Sequence, residues 1–397
     1  MRVLLDKRRV YLDYNATTPP AEFLNRQIQE WLPLWGNPSS VHQNGQKARS
    51  LFWSAKVHLA KFIGCHPLEL IATSGGSEAN NMAIRGLYEK YFLQDSKRNE
   101  IIISAVEHPS VKSPIESLKA KGMKIRYIPV SMQGELDLSV YESTLSDKTF
   151  LASIMYANNE TGNLFPVSRL VKMAHKVGAF FHCDAVQALG KIHFNLHKLG
   201  VDTASFSAHK FYSLKGTGVL YCRKGLLPDN LIRGGPQERN RRAGTENVLG
   251  MACFGAVAQR GEEILRQFQG IGKLRDKMEQ HILSHIGGAK VLGQKGQRLY
   301  NTSCIYIPGV QGETLLMNMD LKGYSFSVGS ACHSGSLNPS GVLIAMGLNE
   351  EEARSAIRIS LGLGVFKEEL DRFLSDLIDS IKRIQSFPQN QNFQNEL

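Results

Sequence analysis

Short apolar runs recur along the middle of the chain, separated by stretches whose apolar residues return every three or four positions. "IIIS" (Ile101–Ser104), "IRYIPV" (Ile125–Val130), "FLASIMYA" (Phe150–Ala157) and "AFFHCDA" (Ala179–Ala185) have strand length and β-branched or aromatic content. "TASFSA" (Thr203–Ala208) and "TGVLYCR" (Thr217–Arg223) continue the series. Between them, segments such as "VSRLVKMAHKVG" (Val167–Gly178) carry the helical period and end in glycine. Strands alternating with helices predict an α/β fold, with a mostly parallel sheet covered by helices on both faces.

The pattern changes near Gly261. A long charged helix is predicted over Gly261–Ile286, then shorter strands and a C-terminal helix. This reads as a smaller α+β domain that also takes in the N-terminal residues. The division expected is 16–262 for the large domain, with 1–15 and 263–397 for the small one. The polar tail "FPQNQNFQNEL" is expected to fray.

Composition narrows the class. The 397 residues are 42% hydrophobic and 21% charged, an ordinary balance for a globular protein. No apolar run approaches the roughly 20 residues that span a bilayer. The start "MRVLLDKRRVYLDY" has too short an apolar piece for a signal peptide, so a cytoplasmic protein is expected. Six scattered cysteines form neither a disulfide framework nor a CxxC pair, so no structural zinc is expected. The net charge is +11, yet the basic residues are dispersed and the dense cluster is "ERNRR" (Glu238–Arg242). That spread favours an electropositive face for anionic ligands or acidic partners over nucleic-acid binding.

Three stretches carry candidate chemistry. In "ATSGGSEANNMAI" (Ala72–Ile84) a strand-like run stops at Ser-Gly-Gly-Ser and a helix begins. Glycines there let backbone close on a ligand, and a helix start favours an anion; the plainer reading is a loop with Ser77 as N-cap. "FHCDAVQALGK" places Asp184 at the end of an apolar strand, either as a helix cap or as a carboxylate that keeps a heterocyclic nitrogen protonated. "SFSAHKFYSLKGTGVLY" places Ser207, His209 and Lys210 at another strand end, where burial lowers a lysine's pKa for Schiff-base chemistry. Lys215 competes, in a Gly-rich turn expected to be exposed. An anion loop, a strand-end aspartate and a strand-end lysine are together the parts that pyridoxal 5'-phosphate (PLP) requires. A fourth stretch, "SVGSACHSGSLNPSG" (Ser327–Gly341), sets Cys332 among polar residues, an odd place for a packing cysteine.

At this point the chain resembles the group I (NifS/IscS-type) cysteine desulfurases of PLP fold type I. The likeness runs from "YLDYNATTP" to "AIRISLG" through "GNPSSVH", "TSGGSEANN", "EHPSV", "NNETG", "HCDAVQALGK", "SFSAHK", "GGPQERNRRAGT" and "VGSACHSGS". The resemblance implies that Lys210 takes the cofactor's aldehyde and moves the substrate's α-proton. Asp184 would pair with the pyridine nitrogen and Gln187 with the ring hydroxyl oxygen. His108 would stack on the ring and shuttle protons, and Asn159 would sit near it. Gly76, Ser77, Ser207 and His209 would hold the phosphate, with Thr245 reaching the phosphate of the other subunit in a homodimer. Asn37 and Arg358 would bind the substrate carboxylate, with Arg354 as the nearest rival. Cys332 would be the nucleophile, active as its thiolate.

The function expected on that resemblance is conversion of L-cysteine to L-alanine, with a persulfide left on Cys332. It would pass to a sulfur acceptor such as an iron–sulfur scaffold, or to tRNA thiolation. A related selenocysteine lyase, or a non-catalytic regulator on the same fold, are the alternatives. The chain departs from the family pattern at Ser77, Cys183, Pro236, Asn240, Leu363 and the 213–215 loop. Cys65, Cys222, Cys253 and Cys304, with Cys183, are expected in the core.

Overall fold

The computed structural model describes residues 1–5, 9–94, 97–329 and 338–386. Thirteen strands are seen in those residues. They are β1 (Val10–Tyr11), β2 (Leu70–Thr73), β3 (Glu100–Ser104), β4 (Lys124–Ile128), β5 (Thr149–Ser153), β6 (Phe180–Asp184), β7 (Thr203–Ser207), β8 (Gly218–Cys222), β9 (Lys290–Val291), β10 (Thr302–Tyr306), β11 (Tyr324–Ser325), β12 (Ser327–Val328) and β13 (Ala356–Ser360).

Seven of them form one sheet in the order β2-β8-β7-β6-β5-β3-β4. Strands β4, β3, β5, β6 and β7 pair in parallel, and β8 runs antiparallel to both β7 and β2. The inner strands β3, β5, β7 and β8 are buried at every residue, which is why they read as continuous apolar runs. Edge strand β4 instead exposes Lys124, Arg126 and Tyr127, and such charged edges resist pairing with other chains. It ends at Ile128, short of the expected Val130, because Pro129 cannot donate to the ladder. Strand β5 likewise stops at Ser153 rather than Ala157, although the N–H groups of Ile154 and Tyr156 still donate to the carbonyls of His182 and Asp184 on β6, at 3.2 and 2.9 Å.

The helix Val167–Lys176 ends where predicted, with Gly178 left-handed at φ 74°. Gly76–Tyr91 and Gln43–Ile63 are further helices, the latter closed by Gly64 at φ 71°. Helix Val248–Gln259 is buried along most of its length against Gln43–Ile63. Their approach requires Gly255, where a Cβ would fall 2.4 Å from Ala55 Cα.

The long helix spans Gly261–His285 and leads into an antiparallel sheet ordered β12-β13-β10-β9, followed by the amphipathic helix Lys367–Ser386. The N-terminal residues join this part, since β1 pairs in parallel with β11 and Asp13 bridges Ser360. Among the described residues no helix is long and apolar enough to cross a membrane. Four of the five described cysteines are buried, and Cys65 is partly so.

Candidate active site

Parallel strands β6 and β7 end side by side, at Asp184 and Ser207, and ligands of α/β sheets bind at such carboxyl ends. A cavity of about 330 Å³ opens there. Its lining includes Gly76, Ser77, His108, Asn159, Asp184, Gln187, Ser207, His209, Lys210 and Arg358.

The anion end is built from the turn after β2. The helix beginning at Gly76 runs 16 residues, long enough for its first N–H groups to favour a negative charge. Its N-cap is Gly75, so Ser77 lies inside the first turn and is not the cap. Backbones approach closely: a Cβ on Gly218 would lie 2.6 Å from Gly75 Cα, and one on Gly76 would lie 2.7 Å from Val186 Cγ2. His209 hydrogen-bonds Thr17 Oγ1 through Nδ1 at 3.1 Å. Burial, with Lys210 and Lys215 nearby, pushes its pKa down to about 4, so it meets a ligand as a neutral ring.

Lys210 closes the 3-10 turn Ala208–Lys210 after β7, and its Nζ donates to the carbonyls of Asn15 and Ala16 at 2.6 Å each. Lys215 is exposed and does not line the cavity. Tyr212 follows with φ 55°, unusual for a bulky residue, and is pinned by its N–H to Thr18 Oγ1 at 2.6 Å.

Asp184 is the cap expected, and its setting is compatible with the second role. Its Oδ1 caps the next turn by accepting Val186 N–H at 3.0 Å, while Oδ2 accepts from Asn80 Nδ2 at 2.9 Å. Both donors are neutral, which leaves this buried carboxylate suited to a protonated ring nitrogen. His108 is the N-cap of helix Pro109–Ser117, its Nδ1 accepting Ser110 N–H at 3.1 Å. The proton of the neutral ring therefore sits on Nε2. Beside it, Glu107 is fully buried: Oε1 accepts from Ser104 Oγ at 2.5 Å and Met155 N–H at 2.8 Å. Burial pushes its pKa up to about 8.

Arg358, on β13, pairs with Asp13 at 2.7 Å and donates to Asn159 O at 3.2 Å. Arg354 points elsewhere, near Glu350 at 3.9 Å. Asn37 and Thr245 are exposed and line no part of this chain's cavity. The Thr245 segment is nevertheless held down, since Arg242 forks onto Glu78 at 2.8 and 3.1 Å and Glu238 pairs with Lys56 at 2.6 Å. Cys332 lies outside the described residues. Sequence reading passed over Asn80, Ser110, Asn15 and Asp13, all of them cavity-lining. Each falls inside or beside a quoted motif, but no spacing rule singles it out.

The donor set fits PLP: a helix start suited to an anion, a carboxylate without a cationic partner among the described residues, and a lysine at the end of a buried strand, all on one cavity. Comparison with known proteins agrees. The model of the family "Aminotransferase class-V" matches residues 10–373. A cysteine desulfurase IscS of Dictyoglomus turgidum is 41% identical, with 96% of each chain covered. A cysteine desulfurase of Gluconacetobacter diazotrophicus is 42% identical over 92% of this chain and 91% of its own. Among solved structures, a NifS-like protein superposes with a TM-score of 0.88 at 34% identity, covering 94% of this chain and all of its own. SspA in complex with cysteine gives 0.78 at 29%, covering 90% and 99%.

Proposed function

The chain belongs to the class-V aminotransferase family and is a PLP-dependent cysteine desulfurase, and from that premise we propose the following roles for its residues. When bound, PLP supplies an aldehyde that captures amines and a ring that draws electrons away from the substrate's α-carbon. Lys210 would hold that aldehyde and would move the α-proton of L-cysteine. Asp184 keeps the ring nitrogen protonated, Gln187 binds the ring hydroxyl oxygen, and Asn159 borders the ring. Gly76, Ser77, Ser207 and His209 hold the phosphate. Arg358 receives the substrate carboxylate with its planar fork. Asn37 shares that task on the resemblance alone, since it stands outside this cavity. His108, protonated on Nε2, gives or takes protons at the ring; a positioned histidine contributes about 10²–10⁴-fold in rate.

The sulfur step falls to Cys332. Its thiolate attacks the substrate sulfur, an S–S bond forms as the Cβ–S bond breaks, and the electron pair stays with Cβ. Protonation at Cβ and return of a proton to Cα complete L-alanine, and Cys332 retains a persulfide for an acceptor, an iron–sulfur scaffold or the tRNA-thiolation route. What supports this placement is Ser327, which lines the cavity five residues before Cys332. Five residues reach at most about 18 Å.

A homodimer completes the reading. Thr245 is exposed and available to a second copy, and Trp35 and Val41 are 78% and 83% exposed, apolar surface that favours association. Residues 16–262 form the PLP-binding domain, with 1–15 and 263–397 the smaller one. The unpaired cysteines among the described residues suit the cytoplasm. The observation carrying most weight is the convergence of Lys210, Asp184, His108 and Arg358 on one cavity. The test is to incubate the protein with L-cysteine, measure alanine and locate the added sulfur by peptide mass. Cys332→Ala should lose alanine formation and keep the yellow cofactor band; undiminished turnover would exclude the persulfide route.

A further inference from the structure

Lys191 has a role that none of the above uses. It is 2% exposed, behind the cavity wall. Its Nζ donates to Gln187 Oε1 at 2.6 Å and to Asn15 Oδ1 at 2.8 Å, two neutral acceptors. An ammonium there would be a buried charge without a counter-ion, which is costly. Burial, with Lys210 and Arg358 nearby, holds the amine well below the usual lysine range. The neutral amine still carries two N–H donors, one for each acceptor.

The consequence falls on Gln187. An amide can turn either way round, and its partners decide which end points where. With one amine N–H committed to each acceptor, the Gln187 oxygen faces Lys191, and its nitrogen lies on the other side, where it donates to Asn15 O, a carbonyl that can only accept, at 2.9 Å. Lys210 Nζ donates to that same carbonyl at 2.6 Å. Asn15 is held in turn by Asn301 Nδ2 on its Oδ1 at 3.1 Å, and its own Nδ2 donates to Thr302 Oγ1 at 2.8 Å. Lys191 thus grips both residues that meet at the Asn15 carbonyl.

We propose that Lys191 is a positioning residue: it fixes the Gln187 amide with oxygen inward, so that a nitrogen donor faces the cofactor's ring oxygen. This rests on reading the cavity as a PLP site. A donor at the ring oxygen alters the ring's electronics as well as its affinity, so the cofactor's own spectrum reports it.

The test compares wild type, Lys191→Met, Gln187→Ala and the double variant. The readouts are PLP affinity for the apo protein and the pH midpoint of the cofactor's visible band. Lys191→Met should weaken PLP binding about tenfold and move the midpoint by about half a unit or more. In the Gln187→Ala background the same change should add much less than it does alone, because its route through Gln187 is already gone. A wild-type midpoint in Lys191→Met, or fully additive effects, would overturn the proposal. Should Lys191→Met fail to fold, Lys191→Gln decides, since it keeps a neutral N–H donor. Its midpoint should stay within about 0.3 unit of wild type, and a shift as large as that of Gln187→Ala overturns the proposal. A wild type that takes up no PLP defeats the functional reading and this proposal together.

Discussion

Asn80 Nδ2 lies 2.9 Å from Asp184 Oδ2, and the same amide nitrogen reaches Ser110 Oγ at 2.8 Å. Ser110 Oγ in turn meets His108 Nδ1 at 2.7 Å. One amide therefore sets both the strand-end carboxylate and the cavity's histidine. Its orientation is fixed by His182, whose Nε2 lies 3.0 Å from Asn80 Oδ1. Burial pushes the pKa of His182 down to about 3, so this ring acts as a neutral donor and adds no charge beside Asp184.

Asp184→Ala should strip the site of the carboxylate proposed to match a ring cation. Losing one partner of a buried charge pair costs about 3 kcal/mol or more, roughly a hundredfold in affinity. PLP content after gel filtration should fall along with turnover. Unchanged content and turnover would reduce Asp184 to the turn cap it also is.

Glu107 predicts a pH dependence of stability. The unfolded residue ionises near 4.5, whereas the folded one keeps its proton up to about 8. Between those values the folded chain binds the extra proton, so stability falls as pH rises through the window and levels off above it. Glu107→Gln, a neutral mimic, should remove that slope. Its stability relative to wild type should improve by about 3.5 kcal/mol between about pH 5 and pH 8, as read from urea midpoints. A difference that stays constant with pH would mean Glu107 is ionised in the fold.

Borohydride reduction of the holoprotein should fix the cofactor to Lys210. Peptide mass should find it there in wild type and in Lys215→Ala, and find none in Lys210→Ala. A persistent adduct in the last would move the role to another lysine.

Arg358 is 4% exposed at its side chain and shares its charge with Asp13 before any substrate arrives. Arg358→Lys keeps the charge and loses the two-pronged geometry. The KM for L-cysteine should rise by about tenfold or more with kcat less affected. A reversed split would place Arg358 in the chemical step.

Much of the site was legible in short stretches. Strand-end placement alone points to Asp184 and Lys210, and the glycine run points to a backbone suited to an anion. Where expectation and structure part, the cause is geometric. Ser77 is not the N-cap because the cap falls two residues earlier, at Gly75, and the helix starts at Gly76. Asn37 sits in a motif as recognisable as the others, yet it is exposed and outside this chain's cavity, where the expectation placed it; Thr245, expected at the other subunit's site, is exposed too.

From the chain alone came whatever depends on neighbours in sequence: alternating strands and helices, the turn glycines, and the ordered motifs that mark the family. Only the folded molecule decided which atoms meet, because those contacts join residues far apart along the backbone. Lys191 reaches Asn15 across 176 positions, and Arg358 reaches Asp13 across 345. Periodicity reports which face of an element is buried; it carries no information on which distant acceptor a buried amine or guanidinium will find.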